Sequence, residues 1–268
     1  MFIKTPPIET MKGAYDVKDK NVVVTGGNRG IGFGIATAFA ESGANVCIVC
    51  RNTSSGAAAV EKLSIYGGRY TCIGCDVSDY EQVKAAAAKI FDFFDHVDVL
   101  VNNAGVATTT PFLDPDGISE WHRVLGADLN GPAYMIHEIA PRMVEAGLGG
   151  EIINISSMGA VRMSDAKEHH NPPYSVAKAG IDVFTQYLAL VLGDYGIRVN
   201  SIRPGPFHSD LDKDLPQSVL DGIENNMPCH RFGMPIEIGA LAVFLASPAG
   251  RQITGANIHD DGGFGLVF

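Results

Sequence analysis

The sequence predicts an α/β fold, a doubly wound parallel sheet of about seven strands with helices on both faces, in one domain. Three observations predict it. Short apolar runs alternate with longer helical patterns along nearly the whole chain. The runs are apolar almost throughout, as strands must be when both faces of a sheet are covered. A glycine-rich turn, TGGNRGIG at Thr25–Gly32, joins the first run to the first helix.

Taken in order, the strand candidates are NVVVT (21–25), NVCIVC (45–50), YTCIGC (70–75), VDVLVN (97–102), EIINIS (151–156), IRVNSI (197–202) and ANIHD (256–260). The helix IGFGIATAFAESG follows the first strand and stops at Gly43, a C-cap glycine. SDYEQVKAAAAKIFDFF opens on a Ser-Asp cap and keeps an apolar stripe. Further helices cover 118–145, 173–193 and 235–246. Residues 1–20 read as an N-terminal arm and 21–268 as the domain. The segment 204–230 breaks the rhythm with Pro204, Gly205, Pro206, Pro216 and Pro228, and reads as a substrate lid.

The 268-residue chain has a net charge of −10, which argues against nucleic acid as a partner. It leaves room for a nucleotide cofactor in a locally basic pocket. No run reaches the ~18 apolar residues of a membrane span, and the N-terminus has no signal-peptide core. A soluble, cytoplasmic protein without membrane contact is expected. The five cysteines include two CxxC pairs, CIVC and CIGC, which superficially resemble a zinc site. Both pairs fall on strands, where positions i and i+3 point to opposite faces. They read as buried thiols, with no metal, and an odd count suits a reducing compartment.

Glycines in the turn let the backbone approach a pyrophosphate, and the helix start offers free N–H groups and a positive dipole end. The spacing is TGxxxGxG. With NNAG (Asn102–Gly105), Asn130-Gly131, Ile155-Ser156-Ser157, YSVAK (Tyr174–Lys178), Arg203-Pro204-Gly205 and Asp261-Gly262-Gly263, the chain resembles the short-chain dehydrogenases/reductases over residues 20–265. The resemblance implies a Rossmann-type sheet, a nicotinamide cofactor, and a small-molecule alcohol or ketone as substrate. It implies cofactor contacts at Gly26, Asn28, Arg29, Ile31, Gly32, Arg51, Asn52, Asp76, Val77, Asn103, Gly105, Tyr174, Lys178, Pro204, Gly205, Phe207 and Ser209. An acid at the end of the second strand commonly bonds the ribose 2′-OH of NAD. Here that position reads Cys50-Arg51-Asn52. With Arg29 in the turn, two guanidinium groups suit a 2′-phosphate and favour NADP(H) over NAD(H).

Tyr174 and Lys178 are spaced i, i+4 and share one helical face. An ordinary tyrosine ionises near pH ~10, and an adjacent ammonium favours its phenolate. The pair therefore suits a general acid for ketone reduction or a base for alcohol oxidation. By resemblance, Lys178 also binds the nicotinamide ribose, Ser157 orients the carbonyl, and Asn130 holds a relay water near the lysine. Ser157 and Tyr174 stand further apart than is common in the family, the extra residues falling within 158–173 beside the substrate pocket. His169 and His170 lie there and read as exposed loop residues rather than metal ligands.

The resembling enzymes act on several substrate classes. The arm ending GAYDVKDK and the AKAG helix start are similar to sugar-alcohol dehydrogenases. Leu211, Leu215, Val219, Leu220, Ile223 and Met227 in the lid would suit a hydroxysteroid or bile acid. A 3-oxoacyl reductase is an alternative, and a non-catalytic NADP(H)-binding sensor another. The resemblance implies a homotetramer or homodimer, with the 173–193 helix at an interface.

Overall fold

The computed structural model describes residue 8 and residues 10–162, 171–209 and 216–267. Seven strands form one sheet: β1 Asn21–Thr25, β2 Asn45–Cys50, β3 Tyr70–Gly74, β4 Val99–Asn102, β5 Gly150–Ile155, β6 Ile197–Pro204 and β7 Asn257–Asp260. Their order is β3-β2-β1-β4-β5-β6-β7, and every neighbouring pair is parallel. The order reverses between β1 and β4. At such a switch point the helices leave to opposite faces and a crevice opens beyond the strand ends.

The apolar runs become strands because both of their faces are covered. On one face, α1 Gly30–Glu41, α2 Thr53–Leu63 and α8 Pro235–Ala246 bury Ile35, Phe39, Leu63, Ile238 and Leu245 against Val22, Val24 and Ile48. On the other, α3 Tyr80–Phe93, α5 Gly131–Ala146 and α6 Pro172–Leu192 bury Ile90, Met135, Ile139 and Leu188 against Val23, Leu100 and Val199. Helices α1 and α8 meet closely at Gly34, where a Cβ would lie 2.4 Å from the Pro235 backbone.

Two helical features differ from the sequence expectation. The span 118–145 is two helices, α4 Gly117–Leu125 and α5, joined through a π-helical turn at Gly126–Asn130. An extra residue in such a turn escapes a search for 3.6-residue periodicity. Helix α2 was hidden by the loop-like run TSSG. The Asn52 side chain accepts the Ser55 N–H and so caps it. Within the expected lid, α7 Gln217–Asn226 forms a short helix, and α9 Phe264–Val267 closes the described chain.

The cysteine reading follows the pleat. Cys50 and Cys72 sit with the α1 and α8 face, Cys47 and Cys75 with the opposite one. No group of metal-ligating side chains occurs among the described residues. Burial pushes the Cys47 thiol up to about 12 and the Cys75 thiol up to about 11. From the N-terminal segment, Ala14 and Val17 are buried, and the Ala249 N–H donates to the Ala14 carbonyl. Helix α6 is the one described helix long and apolar enough to cross a membrane. It packs on β6 and buries Lys178 and Asp182.

Candidate active site

The glycine turn lies in the crevice beside the switch point. Gly26 adopts φ +65°, and its N–H donates to the Val49 carbonyl at 2.7 Å. A Cβ on Gly32 would sit 2.3 Å from the Gly26 carbonyl oxygen, so only glycine lets α1 start this close to the turn. Nothing lies within 4 Å of the Cβ position at Gly30. Arg29, the α1 N-cap, makes no side-chain capping bond, so its side chain leaves the first amides of the helix uncapped. This cradle fits a pyrophosphate.

Asn103 props the turn from β4. Its Nδ2 donates to the Thr25 carbonyl at 2.9 Å, while the Thr25 hydroxyl accepts from the Asn103 and Ala104 N–H groups. Asn28 donates to the Ser55 hydroxyl at 2.8 Å, tying the turn to the start of α2 beside Arg51 and Asn52. Arg29 and Arg51 are both exposed, and neither side chain has a hydrogen bond or ion pair among the described residues. Ile31 is half-buried at the start of α1. At the end of β3, the Asp76 carboxylate accepts from the Ser78 N–H and hydroxyl, and the buried Val77 packs where Gly131 leaves room.

At the ends of β5 and α6 three expected residues come together. Pro172 and Pro173 start α6 and so place Tyr174 in its first turn. Ser157 Oγ and the Tyr174 ring both lie within 3.6 Å of the Cβ position at Gly159. Lys178 is 4% exposed, and its Nζ lies 5.3 Å from the Tyr174 ring centroid. That nitrogen donates to the Ile155 carbonyl at 3.0 Å. The two serines of the Ser156-Ser157 pair separate clearly. Ser156 is buried and donates to the Lys178 carbonyl, whereas Ser157 stands at the cleft and accepts from the Gly159 N–H.

Asn130 is a correction. It is exposed, and the side chain that meets Lys178 belongs to Asp128, with Oδ2 3.2 Å from Nζ. The π-turn points position 128 into the protein and carries Asn130 outward. Asp128 is fully buried, and its Oδ1 accepts the Val106 N–H at 2.7 Å. Gly105 makes room for it, since a Cβ there would lie 2.6 Å from Asp128 Oδ2. Sequence reasoning missed this acid. The signal available was an ionisable residue inside an otherwise apolar helical stretch.

Burial is the strongest influence and works against the Lys178 ammonium, and Asp128, Tyr174 and Asp182 together more than offset it. The net result holds the lysine above its ordinary pKa. Burial pushes the Asp128 carboxyl up, and Lys178, the Val106 N–H and Arg123 pull it back. The contact is an ion pair.

Pro204 ends β6, and the Gly205 N–H donates to the Asp260 carbonyl at 3.0 Å. The Phe207 ring is buried against Gly233. Ser209 is half-buried beside it. His169, His170, Leu211 and Leu215 lie outside the described residues.

A family model described as Enoyl-(Acyl carrier protein) reductase matches residues 26–265. The chain belongs to the short-chain dehydrogenase/reductase family. It is 36% identical over 252 residues to an L-rhamnose 1-dehydrogenase (NAD(P)(+)) of Azotobacter vinelandii, covering 91% of this chain and 96% of that one. It is 39% identical over 246 residues to a 3-oxoacyl-[acyl-carrier-protein] reductase of Chlamydia trachomatis, covering 91% and 97%. Among solved structures, a gluconate 5-dehydrogenase from Burkholderia cenocepacia, in complex with NADP and tartrate, superposes with a TM-score of 0.87 at 28% identity, covering 96% of this chain and 99% of that one. As a member of this family the protein is a nicotinamide-dependent oxidoreductase of the alcohol dehydrogenase/ketoreductase type.

Proposed function

We propose that the protein interconverts a secondary alcohol and its ketone with NADP(H), and that Tyr174 is the general acid/base. The observation that carries this reading is the gathering of the Ser157 hydroxyl and the Tyr174 ring around Gly159, with the buried Lys178 ammonium behind the ring. A bound nicotinamide ring supplies or accepts the hydride. Ser157 orients the substrate oxygen and donates to the charge that develops on it. Tyr174 gives its phenolic proton to that oxygen in reduction and takes it back in oxidation. Lys178 stabilises the phenolate and holds the nicotinamide ribose. Gly26, Asn28, Ile31 and Gly32 cradle the pyrophosphate, Asp76, Val77, Asn103 and Gly105 line the adenine side and the ring, and Pro204, Gly205, Phe207 and Ser209 close over the carboxamide.

The unpaired guanidinium groups of Arg29 and Arg51, with the capping residue Asn52 between α2 and the turn, favour a 2′-phosphate. The substrate is a polyol or keto-sugar, a reading supported by the rhamnose and gluconate dehydrogenase relatives, whose names point to carbohydrate-derived substrates. A hydroxysteroid is the second reading, favoured by the exposed Val219 and the half-buried Leu220 and Ile223 on α7. The protein works in the cytoplasm as a homotetramer or homodimer. Val183, Tyr187 and Leu190 on α6 are exposed, as an interface helix would leave them in one copy.

Tyr174→Phe tests the acid/base role. Turnover is expected to fall by about 10²–10⁴-fold while NADPH binding is kept. Unchanged turnover would remove Tyr174 from the chemistry.

A further inference from the structure

We propose that Asp128 is a positioning residue, the buried counter-ion that keeps Lys178 protonated through the alkaline range in which alcohol oxidation runs. The inference rests on the reading of Lys178 as part of the reacting pair.

An ammonium withdrawn from water is held only if an opposite charge or good acceptors replace the lost hydration. Among the described residues, Lys178 has one neutral acceptor, the Ile155 carbonyl, and one carboxylate in contact, Asp128 Oδ2 at 3.2 Å. Both side chains are buried. Among the described residues, Oδ2 accepts no hydrogen bond of good geometry, so the ammonium is its compensation.

The other charged groups facing this pair are already engaged. Asp182, one turn further along α6, has Oδ2 2.8 Å from Arg203 Nε on β6, and its Oδ1 accepts from the Ser201 hydroxyl. Arg123 on α4 is paired with Glu120 at 2.7 Å. Tyr174 itself is the reacting group. Asp128 is therefore the carboxylate free to balance Lys178. Its orientation is fixed twice, by the Val106 N–H and by the space left at Gly105. A neutral side chain of the same shape would hold the geometry and drop the charge.

The test is an NMR titration of isotope-labelled lysine side chains in cofactor-free protein, with the Lys178 signal assigned by its loss in Lys178→Met. In the wild type, Lys178 is expected to titrate above the ordinary lysine value. In Asp128→Asn its titration is expected to fall by about 1–3 pH units. The alkaline limb of kcat for alcohol oxidation is expected to move down by the same amount, with KM for the alcohol little changed. A folded Asp128→Asn with an unmoved Lys178 titration would overturn the proposal, since a purely structural acid would lower Tm and leave the titration in place. If that variant does not fold, the wild type decides, because Lys178 titrating below the ordinary value would overturn it equally. Turnover retained in Tyr174→Phe would instead sink the catalytic reading and leave the Lys178 titration standing.

Discussion

The glycine turn and the β5–α6 junction are built from different materials. At the turn, backbone and small residues set the shape. Gly26 needs a positive φ, Gly32 needs to be without a Cβ, and Asn103 stitches the loop to β4 through main-chain carbonyls. At the junction the shape comes from a buried charge pair, Asp128–Lys178, brought together by a π-turn and a helix. The first kind of contact tolerates no added atom. The second tolerates shape-conserving changes and responds to charge and pH.

Substitutions sharpen that contrast. The largest effect is expected from Gly32→Ala. Its new Cβ meets a main-chain oxygen that cannot rotate away, so stability is expected to fall by about 1–3 kcal/mol, with weakened NADPH binding. A thermal melt and a fluorescence titration read both. Full stability would show that the turn has slack. Arg51→Ala is expected to weaken NADPH binding about tenfold, worth ~1.4 kcal/mol, and to leave NADH nearly unaffected. Equal losses for both cofactors would remove the 2′-phosphate argument.

A charge-built region elsewhere in the sheet offers a third comparison. Glu151 on β5 is 1% exposed, and burial raises its carboxyl from 4.5 to about 8, with Arg198 at 2.7 Å and Asn200 pulling it back. The folded state thus holds this proton more tightly than the unfolded chain. The stability it contributes is present below the unfolded value of 4.5 and is lost as pH rises through about 8. Wild-type Tm is expected to carry a falling component across that window, and Glu151→Gln is expected to flatten it. An identical pH profile in the variant would contradict the assignment. The smallest effect concerns the thiols. Cys229 is exposed, whereas Cys47 and Cys75 are buried with raised pKa values. Cys229→Ser is expected to remove the fast phase of labelling by a bulky disulfide reagent.

Legibility in the sequence follows the same divide. The strands were readable because two-faced burial favours apolar runs, as in β1, where Val22, Val23 and Val24 stand between the buried Asn21 and Thr25. The glycine turn was readable because glycine spacing records backbone conformation directly. The opposed cysteines followed from the pleat alone. Helix α2 was not readable, since its start depends on one side-chain cap at Asn52. Asp128 was not readable either. Its inward aim depends on the local helical pitch, and an adjacent Asn-Gly matched the expected motif two positions later. Phe207 shows a similar limit. Its place in the chain was clear, but the direction of its ring was decided by Gly233, distant in sequence.

The most direct measurement is an assay at the reduced-nicotinamide absorbance band. It pairs purified protein with NADP(H) and NAD(H) in turn against keto-sugars and polyols, hydroxysteroids, and 3-oxoacyl thioesters. The account predicts turnover with NADP(H) on a secondary alcohol or its ketone, strongest with the sugar class. Tight NADPH binding with no turnover on any class would contradict it and leave a cofactor-binding sensor in its place.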